Sequence, residues 1–272
     1  MSEMFSLQGQ VAVVTGGSGV LGSALAQGLA QAGARVAILG RRLGACQQVA
    51  ASINAAGGEA IAIAADVLDR AALETAATEI AGRLGPVDLL VNGAGGNDPR
   101  ATVSADHPFF DLDAAGVNAV LGSNFTGTLT ACQVWGRVMA ERGQGTIITI
   151  ASMAALRPLT RVGVYGAAKA AVVNFTQWLA VHMAQEYSPA IRVNAIAPGF
   201  FLTEQNRFLL TDAASGELTA RGQSIIAHTP QRRFGAPEDL VGTLVWLASP
   251  AAAFVTGIVV PVDGGFAAFG GV

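Results

Sequence analysis

The residue pair with the clearest chemical potential is Tyr165 and Lys169, four positions apart in the segment VGVYGAAKAAVVNF. Residues four apart lie one above the other on a helix face, so the phenol and the ammonium are expected to share one small space. A free tyrosine has a pKa near ~10, and a nearby cation favours its phenolate. Lys169 is the only lysine of the chain. The pair therefore predicts a proton-transfer site, although the same short pattern also arises by accident on many helices.

The elements that must position this pair follow from short apolar runs that alternate with helical patterns. Strands are predicted at 11–16, 34–40, 59–67, 86–96, 145–153, 190–199 and 256–265, and a long helical region lies at about 111–143. Such alternation is typical of a parallel sheet covered by helices on both faces. We therefore predict a single α/β domain over residues 1–272, a Rossmann-type doubly wound sheet of about seven parallel strands.

Composition limits the class of protein. The chain has 272 residues, of which 51% are hydrophobic and 13% charged, and this is typical of one globular domain with a large core. A net charge of −3 offers no basic surface for nucleic acid. No signal-peptide pattern and no apolar run of about 18 residues is evident, so we predict a cytoplasmic protein without a membrane segment. The two cysteines show no metal-binding spacing, and no metal is expected.

A glycine-rich turn, TGGSGVLG at 15–22, joins the first strand to the first helix. Glycine permits the tight turn, and the free N–H groups of the helix N-terminus favour a pyrophosphate. A dinucleotide site is therefore predicted here. The second strand ends in Gly40-Arg41-Arg42, where an NAD-selective fold places a carboxylate. Two guanidiniums suit a 2′-phosphate, so NADP is favoured over NAD, unless Arg41 and Arg42 merely begin a solvated helix.

Several further motifs lie between these elements: Asp66-Val67, Asn92-Gly93-Ala94-Gly95, Asn124, Ser152 thirteen residues before Tyr165, and Pro198-Gly199 followed by Thr203. In this order and spacing the chain resembles the short-chain dehydrogenase/reductase family over nearly its whole length. Two positions depart from the family pattern. Val20 stands where the family has its second glycine, and Gly93 replaces a second asparagine. Neither change removes a catalytic group.

The resemblance implies a mechanism and a set of cofactor contacts. Tyr165 would exchange a proton with the substrate oxygen, while Lys169 would lower the phenol pKa and bind the nicotinamide ribose. Ser152 would donate a hydrogen bond to the reacting oxygen, and Asn124 would hold a water that connects Lys169 to solvent. The predicted cofactor-binding residues are Gly16, Ser18, Gly19, Leu21, Gly22, Arg41, Arg42, Asp66, Val67, Asn92, Ala94, Tyr165, Lys169, Pro198, Gly199 and Thr203.

Parts of the chain resemble one branch of that family, the D-mannonate oxidoreductases (fructuronate reductases). The resemblance rests on FFLTEQNRFLL and AHTPQRRFG, within the substrate lid expected at about 200–235, and on VNGAGGNDP, ASMAALRPLT and VVNFTQWLAVH. It implies a six-carbon sugar acid as substrate, D-fructuronate or D-mannonate. The predicted substrate-binding residues are Ser152, Tyr165, Arg157, Asn97 and Asn206, with Gln205 and Arg207 as further candidates at the start of the lid.

Other functions remain open at this point. The same chemistry would serve another polyol or an oxoacyl substrate, and a dinucleotide-binding regulator without turnover is a further alternative. A regulator has no evident need for all of Asn124, Ser152, Tyr165 and Lys169. The helices around Asn124 and Tyr165 carry apolar residues on more than one side, which predicts a helix-to-helix subunit contact, unless other parts of the same chain cover them. The resemblance implies a homo-oligomer, a tetramer or a dimer.

Overall fold

Seven strands form one parallel sheet in the part of the chain that the computed structural model describes, residues 3–203, 207, 210–212 and 215–271. They are β1 Val11–Thr15, β2 Arg35–Gly40, β3 Glu59–Ala64, β4 Leu89–Asn92, β5 Gly145–Ile150, β6 Ile191–Pro198 and β7 Val259–Val262. The sheet order is β3-β2-β1-β4-β5-β6-β7, and every neighbouring pair is parallel. The predicted doubly wound fold is confirmed. Its order reverses between β1 and β4, which opens the crevice where such folds bind ligands.

Helices cover both faces of this sheet. They are α1 Val20–Gln31, α2 Leu43–Ala55, α3 Arg70–Arg83, α4 Ala114–Leu121, α5 Gly127–Arg142, α6 Gly163–Glu186, α7 Ala220–His228 and α8 Val241–Ala248. One buried core joins the sheet to α1, α2 and α8, through residues such as Leu25, Ile53 and Leu244. A second core joins the opposite face to α3, α5 and α6, with Trp135 fully buried in it. Neighbouring residues of β1 alternate between the two cores.

The strands that lead into the site end earlier than the sequence predicts. The fourth strand is predicted over 86–96, but β4 covers only Leu89–Asn92. The chain then runs through three glycines and one alanine, whose backbones turn away from the ladder to meet other parts of the site. The same holds for the third strand, which ends at Ala64 rather than at residue 67. The shorter strands bring loops, which carry the functional groups, to the carboxyl edge of the sheet.

The long helical region that the sequence predicts at 111–143 is interrupted by one wider turn. Gly122–Thr126 forms a π-helical turn between α4 and α5. A π turn inserts one extra residue into the helix and changes the direction of its side chains, and such turns are frequent at functional sites. Asn124 lies in this turn and is fully buried. The turn therefore aims Asn124 inward, at the site.

A row of ring side chains runs from the π turn along the outer face of α6 to its C-cap, and we call it the aromatic row: Phe125, Phe175, Trp178, His182 and Tyr187. Successive ring centroids in the row lie 5.9, 6.0, 4.7 and 5.7 Å apart. Trp178 is 55% exposed, and Val181 beside it is 56% exposed. This face is thus apolar and open. None of the described helices combines the length and apolar character needed to cross a membrane.

Candidate active site

The Tyr165–Lys169 pair lies at the start of α6, as its spacing predicts. Tyr165 is the third residue of this helix, and the Lys169 Nζ atom lies 5.8 Å from the centroid of the phenol ring. Lys169 is only 6% exposed. Its ammonium donates a hydrogen bond of 2.7 Å to the backbone oxygen of Ile150, the last residue of β5. One strand end therefore fixes the lysine, and two of its three N–H groups remain for other partners.

Burial governs the protonation of both groups. It lowers the pKa of the Lys169 ammonium from 10.5 to about 8, because the charged form loses its hydration. Burial also raises the pKa of the Tyr165 phenol above its ordinary value, and a hydrogen bond with Ser152 partly opposes that rise. That Lys169 lowers the phenol pKa stays a prediction. The ammonium faces the Ile150 carbonyl, and Ser152 supplies the opposing effect.

Ser152 lies two residues after β5, where the chain enters a short 3₁₀ turn, Met153–Ala155. Its Oγ atom accepts a hydrogen bond of 3.1 Å from the Ala154 N–H, so the serine caps this turn. The side chain is buried, at 8% exposure. Because the oxygen is held as an acceptor, the hydroxyl proton is free to be donated to the phenol or to a substrate oxygen. Ser152 and Tyr165 thus face the same space.

Asn124 connects the π turn to the loop that follows β4. Its Nδ2 atom donates to the backbone oxygens of Gly96, at 2.7 Å, and Val120, at 2.8 Å. Its Oδ1 atom accepts from the Gly96 N–H at 3.2 Å. A Cβ atom on Gly95, whose φ is +144°, would lie 2.4 Å from Asn124 Oδ1 and 3.5 Å from Lys169 Nζ. Asn124 and Lys169 therefore lie beside the same glycine, Gly95. A residue with a Cβ atom at this position would clash with Asn124.

The glycine-rich turn forms a tight cradle at the end of β1. Gly16 has a φ of +66°, and a Cβ there would come within 2.8 Å of the Ala94 backbone. A Cβ on Gly22 would lie 2.2 Å from the Gly16 oxygen. The N-cap Gly19 provides no side-chain hydrogen bond, so the first N–H groups of α1 stay open to an anion. Val20 is the first residue of α1 and partly exposed, so its departure from the family pattern leaves the helix start intact.

Thr15 joins this cradle to β4, and the sequence reasoning missed it. Its Oγ1 atom accepts hydrogen bonds of 3.2 Å from the N–H groups of both Gly93 and Ala94. Asn92, by contrast, is 2% exposed, and its side-chain amide donates to the Cys132 sulfur on α5. Any contact of Asn92 with a cofactor would therefore go through its backbone. Thr15 could have been predicted from the sequence, because a hydroxyl at the end of an apolar strand needs hydrogen-bond partners when it is buried.

The 2′-phosphate contact of the cofactor is predicted at the end of β2. Arg41 and Arg42 are both exposed there, and Arg42 is the N-cap of α2. A Cβ on Gly40 would lie 3.1 Å from the Cys46 sulfur and 3.2 Å from the Ser18 hydroxyl. This strand end thus has no room for an acidic side chain without movement of its neighbours. The charged residues nearest to this strand end in the sequence are Arg41 and Arg42.

The remaining cofactor candidates lie at two other strand ends. Asp66 is partly buried and accepts a hydrogen bond from the Leu68 N–H, and the neighbouring Val67 is 8% exposed. Pro198 is the last residue of β6. Gly199 donates its N–H to the Val262 oxygen at 2.9 Å, and a Cβ on it would lie 2.6 Å from the Asp263 Cα. The partly buried Leu21, near the start of α1, and Thr203, beyond Gly199, complete the predicted set.

The predicted substrate residues are less closely gathered. Arg157 is exposed, and its Nε atom donates to the Ala267 oxygen at 3.0 Å, near the C-terminus. Asn97 is exposed and donates to the Thr102 hydroxyl at 2.8 Å. Arg207 is exposed, while Gln205 and Asn206 lie outside the described residues. Ser152 and Tyr165 thus stand at the centre of the site, and Arg157 and Asn97 at its rim.

Comparisons with known proteins agree with this geometry. A family model described as short chain dehydrogenase matches residues 10–214. The chain is similar to the uncharacterised oxidoreductase UxuB of Bacillus subtilis, with 52% identity over 276 residues and 98% of each chain covered. It is similar to a solved structure from Haemophilus influenzae, named as a candidate D-mannonate oxidoreductase with bound NAD, at 41% identity, a TM-score of 0.91 and 98% coverage of each chain. A gluconate 5-dehydrogenase from Burkholderia cenocepacia, in complex with NADP and tartrate, matches at 32% identity and a TM-score of 0.88, again over 98% of each chain.

Proposed function

The chain belongs to the short-chain dehydrogenase/reductase family and is an NAD(P)-dependent oxidoreductase, and from this premise we propose its substrate and the roles of its residues. The proposed substrate is a hexonic sugar acid, and D-fructuronate and D-mannonate are the favoured pair. The observation that carries the proposal is the convergence of Ser152, Tyr165 and Lys169 on one space, beside the glycine cradle. The sugar-acid names of similar proteins support the choice of substrate.

The residues present fit a dinucleotide. The cradle formed by Gly16 and Gly22 admits no side chain, and the uncapped start of α1 offers N–H groups to a pyrophosphate. The nicotinamide group, when bound, supplies or accepts the hydride. Lys169 has N–H groups left after its bond to Ile150, and these would hold the nicotinamide ribose. Asn124 fixes the loop at Gly96 and keeps a water beside the lysine.

The chain's own residues move the proton. In the oxidation direction, the positive charge of the oxidised nicotinamide would favour the Tyr165 phenolate, which then accepts the proton of the substrate hydroxyl. In reduction, the phenol returns that proton to the oxygen of the carbonyl. Ser152 donates a hydrogen bond to this oxygen while negative charge develops on it, which stabilises the transition state. Partial burial of the site strengthens both interactions.

For the cofactor we propose NADP over NAD. Arg41 and Arg42 are exposed at the end of β2, and Gly40 leaves no carboxylate there to repel a 2′-phosphate. The relatives carry either cofactor, so the preference is to be measured directly. Replacing both arginines by glutamine is expected to raise the KM for NADP(H) and to leave the KM for NAD(H) within about twofold. An equal change for both cofactors would refute the proposed role.

The test of the reaction is absorbance at the reduced-nicotinamide band. Purified protein is combined with each cofactor and with D-fructuronate, D-mannonate, and a panel of other sugar acids and neutral polyols. Turnover on the fructuronate/mannonate pair supports the proposal in full. Turnover only on another panel member, or on an oxoacyl compound, keeps the reaction and discards the substrate. A protein that binds NADP(H) but transfers no hydride to any carbonyl would instead be a regulator.

We also propose that the chain works as a homo-oligomer in the cytoplasm. The aromatic row on α6, with Trp178 and Val181 more than half exposed, supports a helix-to-helix contact between subunits. Light scattering of the purified protein tests this, and replacement of Trp178 and Val181 by polar residues is expected to shift the mass toward a monomer. A monomeric wild-type protein would refute the contact.

A further inference from the structure

The segment that follows β7, residues 263–269, connects two parts of the active site, and we call it the β7 extension. Ser152 follows β5, and the predicted cofactor residue Gly199 follows β6, the neighbouring strand. The last bond of the described β5–β6 ladder joins the Ala151 N–H to the Ile196 oxygen, at 2.8 Å. Beyond that bond, other contacts have to fix the two loops relative to each other.

The first of these contacts is between Asp263 and the Gly199 backbone. A Cβ atom on Gly199 would lie 2.6 Å from both the Cα and the Cβ atoms of Asp263. Gly199 also donates its N–H to the oxygen of Val262, the last residue of β7, at 2.9 Å. The start of the β7 extension therefore packs directly on the predicted cofactor segment, and a displacement of Asp263 would displace Gly199 as well.

The carboxylate of Asp263 folds the β7 extension into a tight turn. Its Oδ1 atom accepts a hydrogen bond of 2.9 Å from the Gly265 N–H, and its Oδ2 atom accepts one of 2.7 Å from the Ala267 N–H. Gly264 and Gly265 have φ angles of +64° and +89°, in the left-handed region that glycine adopts without strain. The chain can therefore turn back over the carboxylate, which fixes the position of Ala267.

Arg157 binds Ala267 from the other side. Its Nε atom donates a hydrogen bond of 3.0 Å to the Ala267 oxygen. Its backbone N–H donates to the Met153 oxygen at 2.9 Å, within the short turn that Ser152 caps. Ala267 is thus held through its N–H by the Asp263 carboxylate and through its oxygen by the guanidinium. This single residue joins the loop after β5 to the segment after β6.

A ring contact strengthens the same connection. Phe200, the residue after Gly199, packs against Phe266 of the β7 extension, with ring centroids 5.1 Å apart and the planes at 61°. Both side chains are partly buried. An edge-to-face pair adds to the apolar area that it buries. The β7 extension therefore contacts the segment after β6 through backbone and side chain alike.

We propose that Asp263 and Arg157 are positioning residues for hydride transfer. Through Ala267 they hold the Gly199 segment, and with it the reactive ring of the cofactor, at a fixed distance from Ser152. The proposal rests on the proposed roles of Ser152 and Gly199, but not on the identity of the substrate. Arg157 then serves the site through Ala267, whereas the sequence predicted it as a substrate ligand. A misplacement of about 1 Å can slow such a step by roughly a hundredfold.

The experiment measures hydride transfer in a single turnover, with enzyme in excess, on whichever compound the wild-type enzyme turns over. Asp263→Asn and Arg157→Met are each expected to slow this transfer by about tenfold or more, while the substrate KM and the NADP(H) dissociation constant stay within about threefold. Arg157→Lys is expected to recover most of the rate, because an ammonium can donate to the same oxygen. The double variant is expected to be no slower than the slower single variant, since both changes break one connection.

Two variants serve as matched controls. Asp113→Asn changes another carboxylate that accepts two backbone N–H bonds, at the start of α4. Arg35→Met removes another guanidinium that donates to a backbone oxygen, that of Gly9, at the first residue of β2 and thus at the opposite edge of the sheet. Both are expected to keep the transfer rate within about twofold. Circular dichroism shows which variants are folded, and Arg157→Met, a change at an exposed side chain, tests the proposal even if Asp263→Asn does not fold.

The outcomes separate this inference from the proposed function. A transfer rate that Arg157→Met leaves unchanged, or single effects that multiply in the double variant, would overturn the positioning role. A KM that rises for the sugar acid alone in Arg157→Met, with normal transfer, would make Arg157 a substrate ligand and also overturn it. If the wild-type enzyme acts only on other compounds, the proposed sugar-acid substrate is wrong, and the same comparison still decides the role of Asp263 and Arg157.

Discussion

Replacing Lys169 by methionine removes a buried charge and keeps a side chain of similar length. The fall of the Lys169 pKa from 10.5 to about 8 corresponds to roughly 3 kcal/mol of lost folding free energy at neutral pH. The unfolded chain holds this proton more tightly than the folded chain. The cost is therefore fully present below about pH 8, and it is relieved as the pH rises toward about 10.5.

Because of this pH dependence, the free energies of unfolding of the wild type and of Lys169→Met are expected to change differently with pH. From about pH 7 to about pH 9, the free energy of unfolding of the wild type is expected to rise by about 1 kcal/mol relative to Lys169→Met. The bond from Lys169 to the Ile150 oxygen hardly affects this difference, because a neutral amine also donates. Tyr165, with a pKa raised above its ordinary value of 10.0, keeps its proton over the same range in both proteins.

The assay is urea unfolding followed by circular dichroism, at several pH values and one fixed protein concentration. All other titrating groups are common to the two proteins, so they cancel in the difference. Lys169→Met is also expected to lose hydride transfer. If the two stability curves run parallel between about pH 7 and pH 9, Lys169 is not the desolvated ammonium described above. A wild-type free energy of unfolding that falls relative to that of Lys169→Met as the pH rises would have the wrong sign.

Three further predictions concern the site. Tyr165→Phe is expected to keep its NADP(H) dissociation constant within about twofold and to lose turnover at least a hundredfold, since general acid–base catalysis contributes about 10²–10⁴; near-normal turnover would refute the proton role. Gly22→Ala places a Cβ 2.2 Å from the Gly16 oxygen, so the cofactor dissociation constant is expected to rise at least tenfold by fluorescence titration. Thr15→Val keeps the shape but leaves the Ala94 N–H unbonded, and urea unfolding is expected to report a loss of about 1–3 kcal/mol.

The sheet was predictable because each buried strand is a short apolar run between glycines and helical patterns. Register and order then follow from the parallel connections of such a fold. The wider turn at Gly122–Thr126 was not predictable, because a single inserted residue leaves the apolar spacing of the surrounding helix nearly unchanged. The sequence therefore predicts that Asn124 lies in a helix but not that it turns inward to hold Gly96.

The candidate site was predictable where its partners are close in sequence. Tyr165 and Lys169 share a helix turn, and this alone brings them together. The hydrogen bond between Ala94 and Thr15 spans 79 residues, and no spacing rule reports it. The hydrogen bond from Lys169 to the Ile150 oxygen was not predictable either, because sequence separation places Tyr165 and Lys169 together but does not show which carbonyl the ammonium selects.

The aromatic row also gives the protein a built-in optical signal. Of its three tryptophans, Trp135 is fully buried, Trp246 is partly buried, and Trp178 is 55% exposed and stacked on His182. The fluorescence emission wavelength of Trp178 therefore depends on how polar its surroundings at the α6 surface are. If subunits associate through this face as proposed, dilution that separates them is expected to shift the Trp178 emission to the red, while the emission of Trp135 stays constant as an internal reference.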